Sequence, residues 1–259
     1  MRIRSILSTV VLLFWACSCS APLNTTTEGT INPENKRDWK LVWNDEFNYK
    51  TRDQLLKVWE ADNGPTSHTL CSRWKENVEV GGGTVRLVNH KENRGGQEWT
   101  SASITSYDSF LYGYFECRYK YAAATGTNNS FWIMARNNKI VPPEGRPFEL
   151  DINEGHYPSE YTNCIHDWTE GNHTSNGDHV KYPGIDFSKE YHIFSVEWSE
   201  DEIVFYIDRK EFRREKNDFC KSPAPVRLSE AILSWGGPVT DAIDGTFMEV
   251  DYVRIYKRR

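Results

Sequence analysis

From Trp39 onward, apolar and polar residues alternate with a period of two in short runs: ENVEVGGGTVRLVNH, LYGYFECRYKYA, NNSFWIMAR, YHIFSVEW, EIVFYIDRKEF and FMEVDYVRIYK. Such alternation places successive side chains on opposite faces of a strand, one turned to a core and one away from it. Gly, Asn, Asp and Pro break the runs at short intervals, which predicts an all-β sandwich rather than alternating strand and helix units. DQLLKVWEA is the one helical candidate, one or two turns long. No internal repeat of solenoid or propeller length interrupts the pattern.

One stretch departs from the period. In FELDINEGH, acids fall at Glu149, Asp151 and Glu154, two residues apart and then three. On a regular strand Glu149 and Asp151 share a face, and Glu154 points to the other. If Ile152 and Asn153 together oppose one residue of the neighbouring strand, the resulting β-bulge returns Glu154 to the face of the first two. Pro147 suits the first position of such a strand, and EGRP before it supplies a turn. Glu149 and Glu154 would then stand four strand steps apart, about 13 Å at ~3.3 Å per residue. Side chains leaning together across that span could bring their carboxyls to the roughly 5–5.5 Å of a retaining glycosidase pair. Three carboxylates so close cannot all ionise at neutral pH, so at least one is expected to keep a proton. The simpler alternatives are a solvated acidic face and a calcium site.

Composition narrows the partners. The chain has 259 residues and a formal net charge of -6, with no basic run to hold nucleic acid or an anionic membrane. Aromatics reach 14% against 38% hydrophobic residues in all, which suits strands and also provides flat apolar platforms for a ligand. The N-terminus, MRIRSILSTVVLLFWACSCS, carries two Arg, an apolar run and then small residues, the pattern of an export signal too short for a comfortable span. LFWAC and ACSC resemble a bacterial lipoprotein processing site, with Cys17 acylated, Cys19 as second choice, and ordinary cleavage near Ala21 as the alternative. The expected division is residues 1–17 as signal, 18–38 as a flexible tether rich in Thr, Asn, Pro and Glu, and 39–259 as one domain. The expected location is outside the cytosol, at the outer membrane or surface of a bacterium or else secreted.

Cys71, Cys117, Cys164 and Cys220 allow up to two disulfides in an oxidising compartment, with Cys117 equally readable as a buried thiol. The segment HDWTEGNHTSNGDH gathers His166, His173 and His179, but spacings of seven and six with intervening Gly, Asn and Ser read as loop rather than as a compact ligand set. No metal is expected there.

Taken with its flanks, ELDINE resembles the E-x-D-x-x-E signature of glycoside hydrolase family 16 in its bulged form. WKLVWNDEFN is similar to the family's opening strand, SFLYGYFECRYK and SFWIM to strands preceding the active one, and FMEVDYVRIYK to its closing strand, so the resemblance runs from about Trp39 to Lys257. It implies a concanavalin-like β-jelly-roll of two curved antiparallel sheets, and internal cleavage of a β-linked polysaccharide with retention. Carried over, Glu149 is the nucleophile, Glu154 the general acid/base and Asp151 the assisting acid. No cofactor is required, a structural calcium on the convex side is compatible with the family, and the expected state is a monomer.

The candidate substrate contacts are Trp132 beside the acidic strand, His166 and Trp168 on the next strand, and Asn128, Trp99 and Trp74. Core packing is the alternative for the Trp residues, and a structural role for His166. Family members that cut β-1,3-glucans commonly carry W-P-A-x-W before the catalytic strand, whereas this chain has NNSFW with Asn128 at the first Trp position. An open, polar position there resembles the family members that cut galactans such as agar-type polymers, which lack the run, and favours such a substrate over β-glucan. The rival reading from another class is a carbohydrate-binding protein without activity on the same fold.

Overall fold

The computed structural model describes residues 29–135 and 145–259. The expected export signal, Cys17, Cys19 and most of the expected tether lie outside the described residues. Among the described residues, seventeen strands and one short α-helix follow in chain order, besides brief 3-10 turns: β1 Trp39–Asp45, α1 Arg52–Leu55, β2 Trp59–Ala61, β3 Cys71–Arg73, β4 Val78–Gly81, β5 Thr84–Val88, β6 Trp99–Ser101, β7 Ser103–Phe110, β8 Gly113–Lys120, β9 Thr127–Ala135, β10 Phe148–His156, β11 Glu160–Asp167, β12 Thr174–Lys181, β13 His192–Trp198, β14 Glu202–Ile207, β15 Lys210–Lys216, β16 Ala224–Ile232 and β17 Phe247–Arg258. The all-β expectation holds, and DQLLKVWEA splits between the single turn of α1 and the whole of β2. The segment after His173, expected as loop, is instead the edge strand β12.

Two antiparallel sheets face each other. The first has the order β15-β14-β13-β8-β17-β5-β4 with β1 also on β17, and the second β12-β11-β10-β9-β16-β7-β2. β3 and β6 form a small parallel pair apart from both. Alternating residues of the two sheets make the core: Phe115, Cys117 and Tyr119 of β8 with Phe194 and Val196 of β13 belong to one buried cluster with Phe131 and Ile133 of β9 and Phe148, Leu150 and Ile152 of β10. Burying such side chains contributes about 1.5–3 kcal/mol each. A one-residue slip of β10 would lose these contributions and drive carboxylates into the core, so its register is strongly fixed.

The first sheet carries a second aromatic cluster on its outer face, where Trp39, Tyr114, Val204, Tyr206 and Tyr256 pack together with Ile31 beside them. Gly29 accepts a hydrogen bond from the Glu211 amide at 2.6 Å and Ile31 donates one to Arg209 at 3.0 Å. Residues 29–38, expected as part of the tether, thus lie against the first sheet, with Ile31 half-buried and the backbone at residues 29–31 paired with the β14–β15 turn and the start of β15.

The disulfides that the four cysteines would allow are not formed, and Cys71, Cys117, Cys164 and Cys220 are all free, Cys117 matching its reading as a buried thiol. Each is committed to a different neighbourhood. Cys117 lies in the main core, Cys71 packs with Trp99 and Ile232, the Cys220 carbonyl accepts from Trp198, and Cys164 sits on β11.

The irregularity in β10 has a tight steric partner. A Cβ on Gly155 would lie 2.2 Å from Cζ of Tyr121, so the residue after Glu154 must be glycine for the strand to lie against that ring. Gly155→Ala is expected to lower stability by about 1–3 kcal/mol as an overpacked substitution. An unchanged thermal midpoint would contradict the tight approach.

Candidate active site

The face of β10 that points away from the core is set by its bulge. Against β9, Asp151 pairs Trp132 and Asn153 pairs the adjacent Phe131, leaving Ile152 as the extra residue. Against β11, Asp151 pairs Cys164 and Glu154 pairs Thr162, so Ile152 and Asn153 share one opposing position. Both turn inward: Ile152 joins the core, and the buried Asn153 amide donates to the hydroxyls of Tyr119 at 2.6 Å and Tyr121 at 2.8 Å. Those two bonds fasten the inward half of the bulge, and Glu149, Asp151 and Glu154 are left together on the outer face, as the spacing of the acids predicts.

Each acid has its own partner. Trp168 Nε1 donates to Glu149 Oε2 at 2.7 Å, and Asn128 Nδ2 donates to Glu154 Oε1 at 2.9 Å. His166 Nε2 lies 3.1 Å from Asp151 Oδ2. Burial, followed by the charges of Glu154 and then Glu149, pushes the Asp151 carboxyl well above its ordinary range. Burial pulls His166 down, but the neighbouring Cys164 and the Glu149 and Glu154 charges outweigh it and raise the imidazole above its usual value. The arrangement thus sets between the two glutamates a third carboxyl that gives up its proton less readily than usual, which suits acid and base work on one strand.

The rings beside the acids are stacked. Trp168 and His173 lie 3.8 Å apart between centroids at 11°, His166 lies nearly parallel to both, and His166 Nδ1 meets His173 Nε2 at 3.0 Å. Of the three histidines in that segment, His179 stands apart on β12, opposite Thr162.

A cavity of about 830 Å³ opens on the Glu149 side, lined by the 62–68 loop, Arg73, Trp132, Met134, Trp168 and Arg227. A smaller one of about 110 Å³ adjoins it on the Glu154 side, sharing His68, Arg73, Trp132 and Glu149 and ending at Leu233 and Trp235. Together they make a groove that crosses β10 beneath all three acids. Trp132 forms its floor, with Nε1 bonded to Ser229 at 3.0 Å and the Arg227 guanidinium 4.3 Å from its ring centroid.

Of the expected substrate contacts, Trp132, Asn128 and Trp168 line the groove, while His166 lies beside it against Asp151. Two expectations are corrected. Trp99 is buried with Cys71, Ile232, Leu233 and Ile243, because β6 belongs to the small parallel pair packed under the groove's rim. Trp74 does not line either cavity; its indole bonds Ser72 and is covered by the Arg94 guanidinium 3.9 Å away. Asn128 is also not the open position inferred from the missing tryptophan, being buried and bonded to Glu154.

The residues not foreseen are Arg73, Arg227, Met134, His173 and Trp235. Trp235 is 66% exposed at one end of the groove. An indole held in SWGGP, between polar and glycine residues, was its only signal in the sequence.

Several known proteins are similar to this chain in sequence or in fold. A beta-glucanase of Rhodothermus marinus is 27% identical, matching 88% of this chain and 89% of its own length. The glucan endo-1,3-beta-glucosidase A1 of Niallia circulans is 28% identical over 85% of this chain, which spans only 38% of that longer protein. Among solved structures, the non-specific endo-beta-1,3(4)-glucanase SCLam superposes with a TM-score of 0.74 at 29% identity, covering 89% of this chain and 94% of that one. The laminarinase catalytic domain of Thermotoga maritima gives 0.72 at 26%, covering 85% and 98%. The family model for glycosyl hydrolases family 16 matches residues 41–254, a span that begins in β1, ends in β17 and encloses the bulged acidic strand: the chain belongs to glycosyl hydrolases family 16.

Proposed function

We propose that the protein is a retaining endo-β-glycosidase acting on a β-glucan with 1,3 or mixed linkages. The observation that carries the reading is the bulge, which presents Glu149 and Glu154 on one face with Asp151 between them. Glu149, as carboxylate, attacks the anomeric carbon while Glu154, entering the step protonated, gives its proton to the departing oxygen; Glu154, now a carboxylate, then takes a proton from the water that displaces Glu149, and Asp151 hydrogen-bonds the nucleophile between the two. The chemistry needs side chains alone. A groove bounded by aromatic residues and open past Trp235 suits a chain bound in its middle.

The galactan preference expected from the missing tryptophan run is not carried forward. It rested on an open polar position at Asn128, and that amide is already engaged with Glu154. The names of the relatives, beta-glucanases and laminarinases, support β-glucan instead. Incubation with laminarin, cereal β-glucan, agar and mucin-type glycans, with reducing ends measured, tests the reading. Release from laminarin or cereal β-glucan is expected; release only from the others would move the substrate class, and tight binding without release would favour the non-catalytic carbohydrate binder.

Trp168→Phe keeps an aromatic ring against His173 but removes the N–H on Glu149. A bond to a charged group contributes roughly 1.5–3 kcal/mol, so kcat/KM is expected to fall about ten- to a hundredfold with the fold intact. An unchanged rate would remove that contact from the mechanism. Export with acylation at Cys17 is part of the same proposal, and mass spectrometry of the membrane-extracted chain would find the diacylated N-terminus.

A further inference from the structure

We propose that Asp151, Cys164 and His166 form a three-ligand site for a zinc ion whose occupancy switches the groove off. Cys164 pairs directly with Asp151 across β10 and β11, and His166 follows two residues later on the same face. One ligand atom from each, a carboxylate oxygen, the thiol sulfur and a ring nitrogen, lies within 4.8 Å of the others. Zinc bonds of about 2.0–2.3 Å hold tetrahedral ligands roughly 3.3–3.8 Å apart, so closing the set takes a shift of about an ångström.

The surroundings favour the ion as well. His166 Nδ1 is occupied by His173 at 3.0 Å, and its ring is stacked near Trp168, which fixes the imidazole with Nε2 facing Asp151. Outer partners of this kind orient histidine ligands in zinc sites. A thiol with an imidazole and a single carboxylate selects zinc over calcium or magnesium, so the site differs in kind from the structural calcium that the family allows. Asp151 also lines the smaller cavity, so water in the groove can reach an ion held by its carboxylate. The spacing of the histidines argued against a ligand set within residues 166–179; here the ligands come from two strands, a proximity that linear spacing does not encode.

Coordination converts the thiol to thiolate and Asp151 to carboxylate, releasing both protons to solvent. It also places a dication between the two carboxylates that the proposed reaction needs. The inhibition arm therefore rests on the hydrolase reading, whereas metal binding does not.

The test uses the mature chain, freed of metal with a chelator and titrated with Co²⁺. A thiolate-to-cobalt absorption band in the near ultraviolet is expected at one equivalent, displaced by Zn²⁺. Cys164→Ser should abolish the band and weaken zinc binding at least tenfold, while His179→Ala on the exposed strand β12 should leave both intact. Zinc should inhibit glucan hydrolysis reversibly in the wild type and at least tenfold less effectively in Cys164→Ser, relative to each protein's own rate without metal. Absence of the band, or its persistence in Cys164→Ser, would overturn the site. A normal cobalt spectrum in a protein inactive on every glycan would leave the site standing and sink the enzyme reading.

Discussion

Glu149→Gln is expected to reduce glucan hydrolysis by about 10⁴-fold or more while leaving the fold unchanged. The amide is close in shape to the carboxylate and can still meet the Trp168 indole, but it cannot form the glycosyl-enzyme bond on which double displacement depends. Losses of this size are typical when a covalent nucleophile is removed, because the remaining groups have no intermediate to act on. The substitution also takes one of the two charges that raise the Asp151 carboxyl, so Asp151 should ionise more readily in the variant. Substrate binding should survive, since Trp132, Trp235 and the 62–68 loop are untouched. A variant that retains more than about a tenth of the wild-type rate would assign the attack to another group.

Glu154→Ala separates the two halves of the reaction. General acid catalysis contributes roughly 10²–10⁴-fold, and only where the leaving group needs a proton. Hydrolysis of the polymer should therefore fall by about that factor, whereas an aryl glycoside with a nitrophenolate leaving group should lose far less in its first step. The second step still lacks its general base, so intermediate should accumulate, and a small anion such as azide should accelerate turnover by attacking it without base assistance. Asn128, which donates to Glu154, loses its acceptor in this variant, and some of the loss will come from that buried amide. Equal losses on polymer and aryl glycoside would remove the acid role from Glu154.

The legible part of this chain is the part governed by simple periodicity. Runs such as YHIFSVEW and FMEVDYVRIYK show a core face plainly, and β13 and β17 stand where the runs do. The bulge was legible for the same reason inverted, since an interval of three among acids spaced by two requires an extra residue if they share a task. β16 was hidden because both its faces are buried and one serves the groove: Arg227 and Ser229 alternate with Val226 and Leu228, and Pro225 and Glu230 further blur the pattern. β12 was hidden by exposure, as a nearly fully exposed edge strand needs no apolar face.

Side-chain roles were less legible than positions. Trp132, Trp168, Trp99 and Trp74 carry the same chemical promise, and only tertiary placement separates the two on the groove from the one in a satellite core and the one beneath Arg94. Arg73 and Arg227 belong to distant strands that meet at Asp62, within 3.5 Å and 4.0 Å of its carboxylate, and no local pattern marks such a meeting. The cysteines invited pairing by number and compartment, yet each is enclosed by different neighbours.

The central claim is that the extra residue at Ile152 brings Glu149 and Glu154 close enough to act directly on one sugar carbon. The configuration of the newly released reducing end, followed by proton NMR in the first minutes of glucan hydrolysis before mutarotation, reads that separation in solution. The account predicts that the β-anomer appears first and the α-anomer only as it equilibrates. Initial release of the α-anomer would mean that a water stands between the two carboxylates, and the proposed geometry of attack would be wrong.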